Sequence, residues 1–325
     1  MQVSRVGGGG RSRVVLIGRI ALSAGLLAFL LTRVHPHALI PKWEHSAAWW
    51  VTGGLAVTLV GVVLSTVRWQ RALAALDTPA SLSRLLSHQL AGLFVGNFLP
   101  STVGVDVLRV ARLSAETKDR PRAFASVILE RMSGWLVLPV MTLVGLVVVP
   151  HLRHLGTATR LATVLSIGTL LALAAVVVAA AHPRLGGRLA DNEGWLRFAG
   201  AIHLGLDKFR RHPARAGEVM VVAAGYQLAM LTAAWMASEA LGLHLGWTVF
   251  LVFFPAVAIA QVLSPVGGLG LREGALVVFL AESPLDVARG QAITLGLLLY
   301  AMNLVVSLLG APSFAIGGRP VRTDA

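Results

Sequence analysis

The sequence has no cysteine, two tyrosines and few charges, and each scarcity excludes something. Without cysteine there is no disulfide, no thiolate metal site and no cysteine nucleophile, and the redox compartment is left open. Charged residues are 13% of the 325, against 56% hydrophobic. Soluble domains carry roughly 25% charged residues, so a large soluble domain is excluded and an integral membrane protein is indicated. Asp, Glu and His are too scattered for a metal centre. With no Walker sequence, uphill transport would need an ion gradient or another subunit. G-L-G-L-R-E-G at 268–274 has the wrong spacing for a dinucleotide loop and follows no strand pattern. No cofactor is expected.

What remains is apolar runs separated by basic loops. The runs predict an all-α polytopic protein with full spans near 14–32, 47–67, 124–149, 161–181, 218–241 and 287–309. A polar tail at 1–13 precedes one transmembrane domain over 14–310, and a second tail follows at 311–325. The first span resembles a signal peptide in its charged front, but no small-x-small cleavage site follows before Pro36, so it reads as an uncleaved helix. R-W-Q-R at 68–71 reads as the end of the second span. Trp43, Trp49 and Trp50 read as an interfacial belt, and 195–211 as an amphipathic helix on the membrane surface.

Two stretches break this pattern. Between Phe94 and Arg112 the chain carries Asn97, Pro100, Ser101, Gly104, Asp106 and Arg109 in an apolar setting. Proline removes a backbone donor and disfavours helix in the residue before it, so one helix should stop near Leu99 and another start at Ser101 or Thr102. Residues 261–274 repeat the design, with Ser264-Pro265, then Gly267, Gly268 and Gly270, then Arg272 and Glu273. Irregular backbone at membrane depth is tolerated only where protein or water satisfies it, so both breaks predict re-entrant hairpins lining a cavity.

The order span, broken hairpin, span occurs at about 47–150 and again at about 216–310. Six full spans make the hairpins enter from opposite faces, an inverted repeat. Loops on the side of the termini hold 20 Lys or Arg against 5 on the other, which predicts cytoplasmic termini in a cell (inner) membrane. The same basic loops account for the formal charge of +13, so no nucleic-acid partner is expected. Nothing in the sequence sets an oligomeric state.

Burying charge at membrane depth costs at least a few kcal/mol per residue, so Asp106, Arg109, Glu130, Arg131, Arg272 and Glu273 should pair or face a wet cavity. Asp106 and Arg109 are three apart and can pair along one helix face, whereas Glu130 and Arg131 point to different partners. One reading is that these six staple the hairpins to the bundle. The other is that the arginines, with Asn97, Ser101 and half-helix N-termini near Ser101 and Leu269, bind a lipid phosphate while the tails stay in the bilayer. His88, Gln227 and Asn303 read as interhelical hydrogen-bonding residues.

N-F-L-P-S at 97–101, G-V-D-V-L-R at 104–109, V-I-L-E-R-M-S-G at 127–134 and P-V-G-G-L-G-L-R-E-G at 265–274 resemble the lysylphosphatidylglycerol synthase transmembrane (flippase-like) family, and R-W at 68–69 fits too. The resemblance covers about 14–310. One departure is Val105, where the family commonly has glycine; its side chain is expected to narrow the site. The resemblance implies translocation of a lipid with a phosphate head group, such as an aminoacylated phospholipid or a polyprenyl-phosphate-linked sugar. The soluble aminoacyl-transfer domain of bifunctional members is expected to be absent, with a separate lipid-modifying enzyme as a partner. A transporter is therefore expected rather than an enzyme. The alternatives are a membrane-embedded transferase, with Asp106, Glu130 and Glu273 as its candidate carboxylates, and a non-catalytic subunit of a lipid-modifying enzyme.

Overall fold

A backbone surrounded by lipid must satisfy its own hydrogen bonds, and long apolar runs do so as helices. The computed structural model describes residues 45–97, 103–181, 207–262 and 271–316, with His203 and Gly205, and among them all regular structure is helical. In chain order the helices are α1 (His45–Ala75), α2 (Leu82–Gly96), α3 (Val103–Thr117), α4 (Arg120–Val148), α5 (Thr157–Ala181), α6 (Pro213–Ala240), α7 (Trp247–Val262), α8 (Leu271–Leu276), α9 (Arg289–Leu308) and α10 (Gly310–Ile316). Helices α1, α4, α5, α6 and α9 are long and apolar enough to cross a bilayer, and they fall on five of the predicted spans. The predicted span at 14–32 lies outside the described residues. So do Pro100, Ser101, Pro265, Gly267, Gly268 and Gly270, and most of the predicted surface helix at 195–211.

The predicted end of the second span is corrected. Helix α1 does not stop near Val67 but continues to Ala75, so Arg68 and Trp69 are interior positions and both are buried. It ends instead where Asp77 takes a left-handed φ of 56° and Thr78 N donates to Leu73 O. Lys208 and Arg215 then fasten this turn. Lys208 Nζ lies 2.6 Å from Asp77 Oδ2, and Arg215 Nη1 donates to Asp77 Oδ1 and to Ala74 O.

Helix α1 runs along α6, and small residues let the two approach closely. A Cβ at Gly53 would sit 2.3 Å from Met236 Cε, and one at Gly61 2.8 Å from Met230 Sδ. Trp50 meets Trp235 of α6 edge to face at 5.3 Å, while Trp49 is exposed. Helix α4 begins with Asp119 accepting from Arg122 N and Pro121 in the first turn. Its far end is closed by Arg153, which donates to Leu146 O and Val147 O. Midway, Thr142 donates to Val252 O of α7, three residues before Pro255.

The short helices pack on these columns. Helix α2 touches α1, α3 and α10; α3 touches α4; α7 touches α4, α5, α6 and α8; and α8 touches α9. Phe253 and Phe279 stack at 5.8 Å in the largest apolar core, which runs from α4 to α9. A second core joins Trp69, Leu73, Leu85, Leu113, Ala123 and Val127. Charged side chains gather beside this second core.

Candidate functional site

Arg68 is seven residues from the end of α1, and Glu130 is ten residues into α4, so both lie roughly 10–15 Å inside the bundle. Arg68 Nη2 donates to Glu130 Oε1, and Arg109 Nη1 of α3 donates to Glu130 Oε2 at 3.1 Å. Relative exposures are 4% for Arg68 and 1% for Arg109 and Glu130, so this bridging carboxylate joins three helices away from solvent. Ser65 adds a weak bond to Glu130 Oε1, and Gln89 of α2 donates to Ser65.

Arg109 Nη1 also donates to Asp106 Oδ1 at 3.2 Å, along the i,i+3 face expected from the sequence. Arg131 completes the group with a two-point bond, Nε to Asp106 Oδ2 at 2.9 Å and Nη2 to Oδ1 at 3.0 Å. Glu130 and Arg131 therefore do take different partners, yet Arg109 makes one network of both pairs. Arg131 is its open edge, with a side chain 41% exposed, beside an Asp106 carboxylate 21% exposed.

The buried guanidinium groups lie over aromatic rings. Arg109 lies 4.2 Å from the Trp69 ring centroid and Arg68 4.8 Å from that of Tyr226 on α6. Trp69 is itself fixed by Nε1 donating to Ser126 Oγ at 2.9 Å. Three guanidiniums face two carboxylates, leaving one net positive charge. Nε and Nη1 of Arg68, and Nε and Nη2 of Arg109, are buried without hydrogen-bond partners. Buried donors in this state are costly unless something else satisfies them.

The remaining predicted residues that are described make other contacts. Asn97 donates to Leu93 O and to Ser307 Oγ of α9, tying the end of α2 to the last long helix. Arg272 donates through Nε and Nη2 to Glu273 Oε1, with Tyr300 of α9 at 5.9 Å, and the bare Gly296 makes room for the Glu273 side chain. Among the described residues the hydrogen bonds of Arg272 go to Glu273 and not to the Asp106–Arg109–Glu130 network. Gly104 is the second residue of α3, and the other glycines and prolines of the breaks lie outside the described residues. His88 does bond across helices, to Glu116 of α3 at 3.0 Å.

Sequence reasoning missed Arg68 as a site residue. The apolar run stops at Val67, so an arginine next to it reads as the end of the span; R-W at 68–69 was a signal only through the resemblance. Val105 also plays a different part from the one expected. It packs against α2, where a Cβ at Gly96 would lie 2.2 Å from Val105 Cγ2 and one at Gly92 3.1 Å from Cγ1. It thus fills the groove left by two glycines.

The family model for the lysylphosphatidylglycerol synthase TM region matches residues 16–310. The chain belongs to this family. The match takes in every element that carries the buried network and the Arg272–Glu273 pair. Membership identifies a membrane protein of lipid metabolism or translocation. Among curated proteins, none matches the chain.

Proposed function

We propose that this protein is a lipid translocase, a flippase or scramblase, moving a lipid with a phosphate head group between leaflets. An aminoacylated phospholipid or a polyprenyl-phosphate-linked sugar would suit it. The observation that carries the reading is the buried network itself: one uncompensated positive charge and four guanidinium nitrogens without partners, inside a bundle of apolar helices. A phosphate offers acceptors in the geometry these donors need, and arginine is the residue suited to it. Both carboxylates of the network are held by arginines, an arrangement for binding rather than for acid–base work. That favours translocation over a transferase.

An inverted repeat underlies the proposed movement, and two observations support it. The contacts of the first half recur in the second: α1 with α2 and α6 with α7, α2 with α3 and α7 with α8, α3 with α4 and α8 with α9, α4 with α7 and α9 with α2. Aligned on Ser101 and Ser264, V-G-x-x-x-L-R also recurs, pairing Val103 with Val266, Gly104 with Gly267, Leu108 with Leu271 and Arg109 with Arg272. In this reading α2–α3 and α7–α8 are hairpins entering from opposite faces, with both termini cytoplasmic in the cell membrane.

The test is reconstitution into liposomes carrying fluorescent phosphatidylglycerol in both leaflets, with dithionite added outside. Translocation bleaches the inner-leaflet label while mass spectrometry finds the lipid unchanged. A protected inner leaflet, or a new lipid product, would overturn the reading.

A further inference from the structure

Two nitrogens of Arg68 are unused by the protein. Nη2 serves Glu130, while Nε and Nη1 are buried and unpartnered. Facing Nη1 is Gly134, one turn after Glu130 on α4. A Cβ there would lie 2.9 Å from Arg68 Nη1 and 3.6 Å from Nε2 of Gln227 on α6. Two nitrogen donors from different helices thus converge on bare backbone, and the Tyr226 ring covers the guanidinium face. Any side chain at 134 would occupy that convergence. Arg109, held on the other oxygen of Glu130 by Nη1, keeps its own Nε and Nη2 free.

We propose that the free Nη1 of Arg68, with Gln227 and Gly134, is the oxyanion subsite, and that it takes a singly charged phosphodiester. This rests on the head-group reading above and narrows it to Arg68. One phosphate oxygen sits beyond Gly134 between Arg68 and the Gln227 amide, and Arg109 takes another. The charge of the ligand follows from the network. Three guanidiniums and two carboxylates leave one positive charge, which a monoanion neutralises. A dianion would leave net negative charge in a medium of low dielectric, where it is poorly tolerated. Because Gln227 and Tyr226 belong to α6 and the arginines to α1 and α3, the bound phosphate bridges the two halves of the chain.

The experiment is calorimetric titration of the full purified chain in detergent with three probes at pH 8: dihexanoyl phosphatidylglycerol, dihexanoyl phosphatidic acid and dimethyl phosphate. Phosphatidylglycerol should bind and be displaced by excess dimethyl phosphate, the free form of the same chemistry. Phosphatidic acid, largely dianionic at this pH, should bind at least about tenfold more weakly. Gly134→Ala should weaken phosphatidylglycerol binding by about tenfold or more, the loss of one hydrogen bond to a charged group. Gln227→Leu, which removes a neutral half-buried amide, should weaken it severalfold with the unfolding temperature unchanged, and carries the test if Gly134→Ala does not fold.

Wild-type affinity in both variants, equal affinity for phosphatidic acid, or no binding of any probe would each overturn the proposal. Binding as expected in a protein that moves no lipid in liposomes would leave the subsite standing and remove the translocase. Translocation and binding unaffected by either substitution would do the reverse.

Discussion

Arg131 grips both carboxylate oxygens of Asp106, Nε to Oδ2 at 2.9 Å and Nη2 to Oδ1 at 3.0 Å, and so joins α4 to α3 through a planar two-point bond. Glu130, one residue earlier, joins the same two helices to α1 by way of Arg109 and Arg68. Adjacent residues on α4 therefore hold opposite ends of one network. Glu130 is sealed inside, while Arg131 is partly open.

Glu130→Gln should be the most damaging change in the network. It leaves Arg68 and Arg109 buried with no carboxylate between them, and breaking a buried ion pair costs about 3–5 kcal/mol. Asp106→Asn should cost less, since Asp106 and Arg131 are partly exposed. Thermal unfolding in detergent checks the order; equal losses would mean that Glu130 does not bridge as described.

Arg109→Lys keeps the charge but loses the contact of the guanidinium with the Trp69 ring and the free Nε and Nη2 donors. Liposome translocation should fall at least about tenfold, the effect of one charge-assisted hydrogen bond. The protein should still insert. If Arg109→Lys transports normally while Arg109→Ala fails to accumulate, the arginine is a staple and not a ligand.

Gly96→Ala should separate α2 from α3, because the new methyl would lie 2.2 Å from Val105 Cγ2. Overpacking of this kind costs about 1–3 kcal/mol. Adding Val105→Ala should restore stability, giving a coupled pair in a double-mutant cycle. Additive losses would show that Val105 does not occupy the groove at Gly96.

Ala115→Cys and Glu282→Cys, both at exposed positions of a chain without other cysteines, should react with an impermeant maleimide from opposite sides of the membrane. Labelling of both from one side would remove the inverted repeat.

Asp77 gives a pH dependence outside the membrane. The hydrogen bond from Lys208, and then that from Arg215, hold its carboxyl below the ordinary carboxylate value. A carboxyl depressed in the folded state stabilises at neutral pH and loses that contribution as pH falls through its folded value. The contact between the α1–α2 turn and the start of α6 should therefore hold at pH 7 and loosen in acid. Asp77→Asn should give faster amide exchange over 207–215 at pH 7, and unchanged exchange there would refute the contact.

Five helices long and apolar enough to cross a membrane were legible in the sequence because lipid forces long apolar runs into helices, whatever their neighbours. The Asp106–Arg109 pair was legible for a similar reason, since a spacing of three places two side chains on one helix face. Both follow from local geometry. Arg68 did not, because its partner Glu130 is 62 residues away and nothing near position 68 says whether that arginine faces lipid head groups or the bundle. Nor did Val105, whose direction depends on where Gly92 and Gly96 of the neighbouring helix lie. The surroundings of Arg272 and Glu273 are of the same kind. Similar motifs announce similar charges, but only the packing of α8 on α9 sets the pair beside Tyr300 and Gly296. Charge burial could thus be anticipated from composition, whereas the choice of partners was decided by helix packing, the one level at which residues far apart in the chain meet.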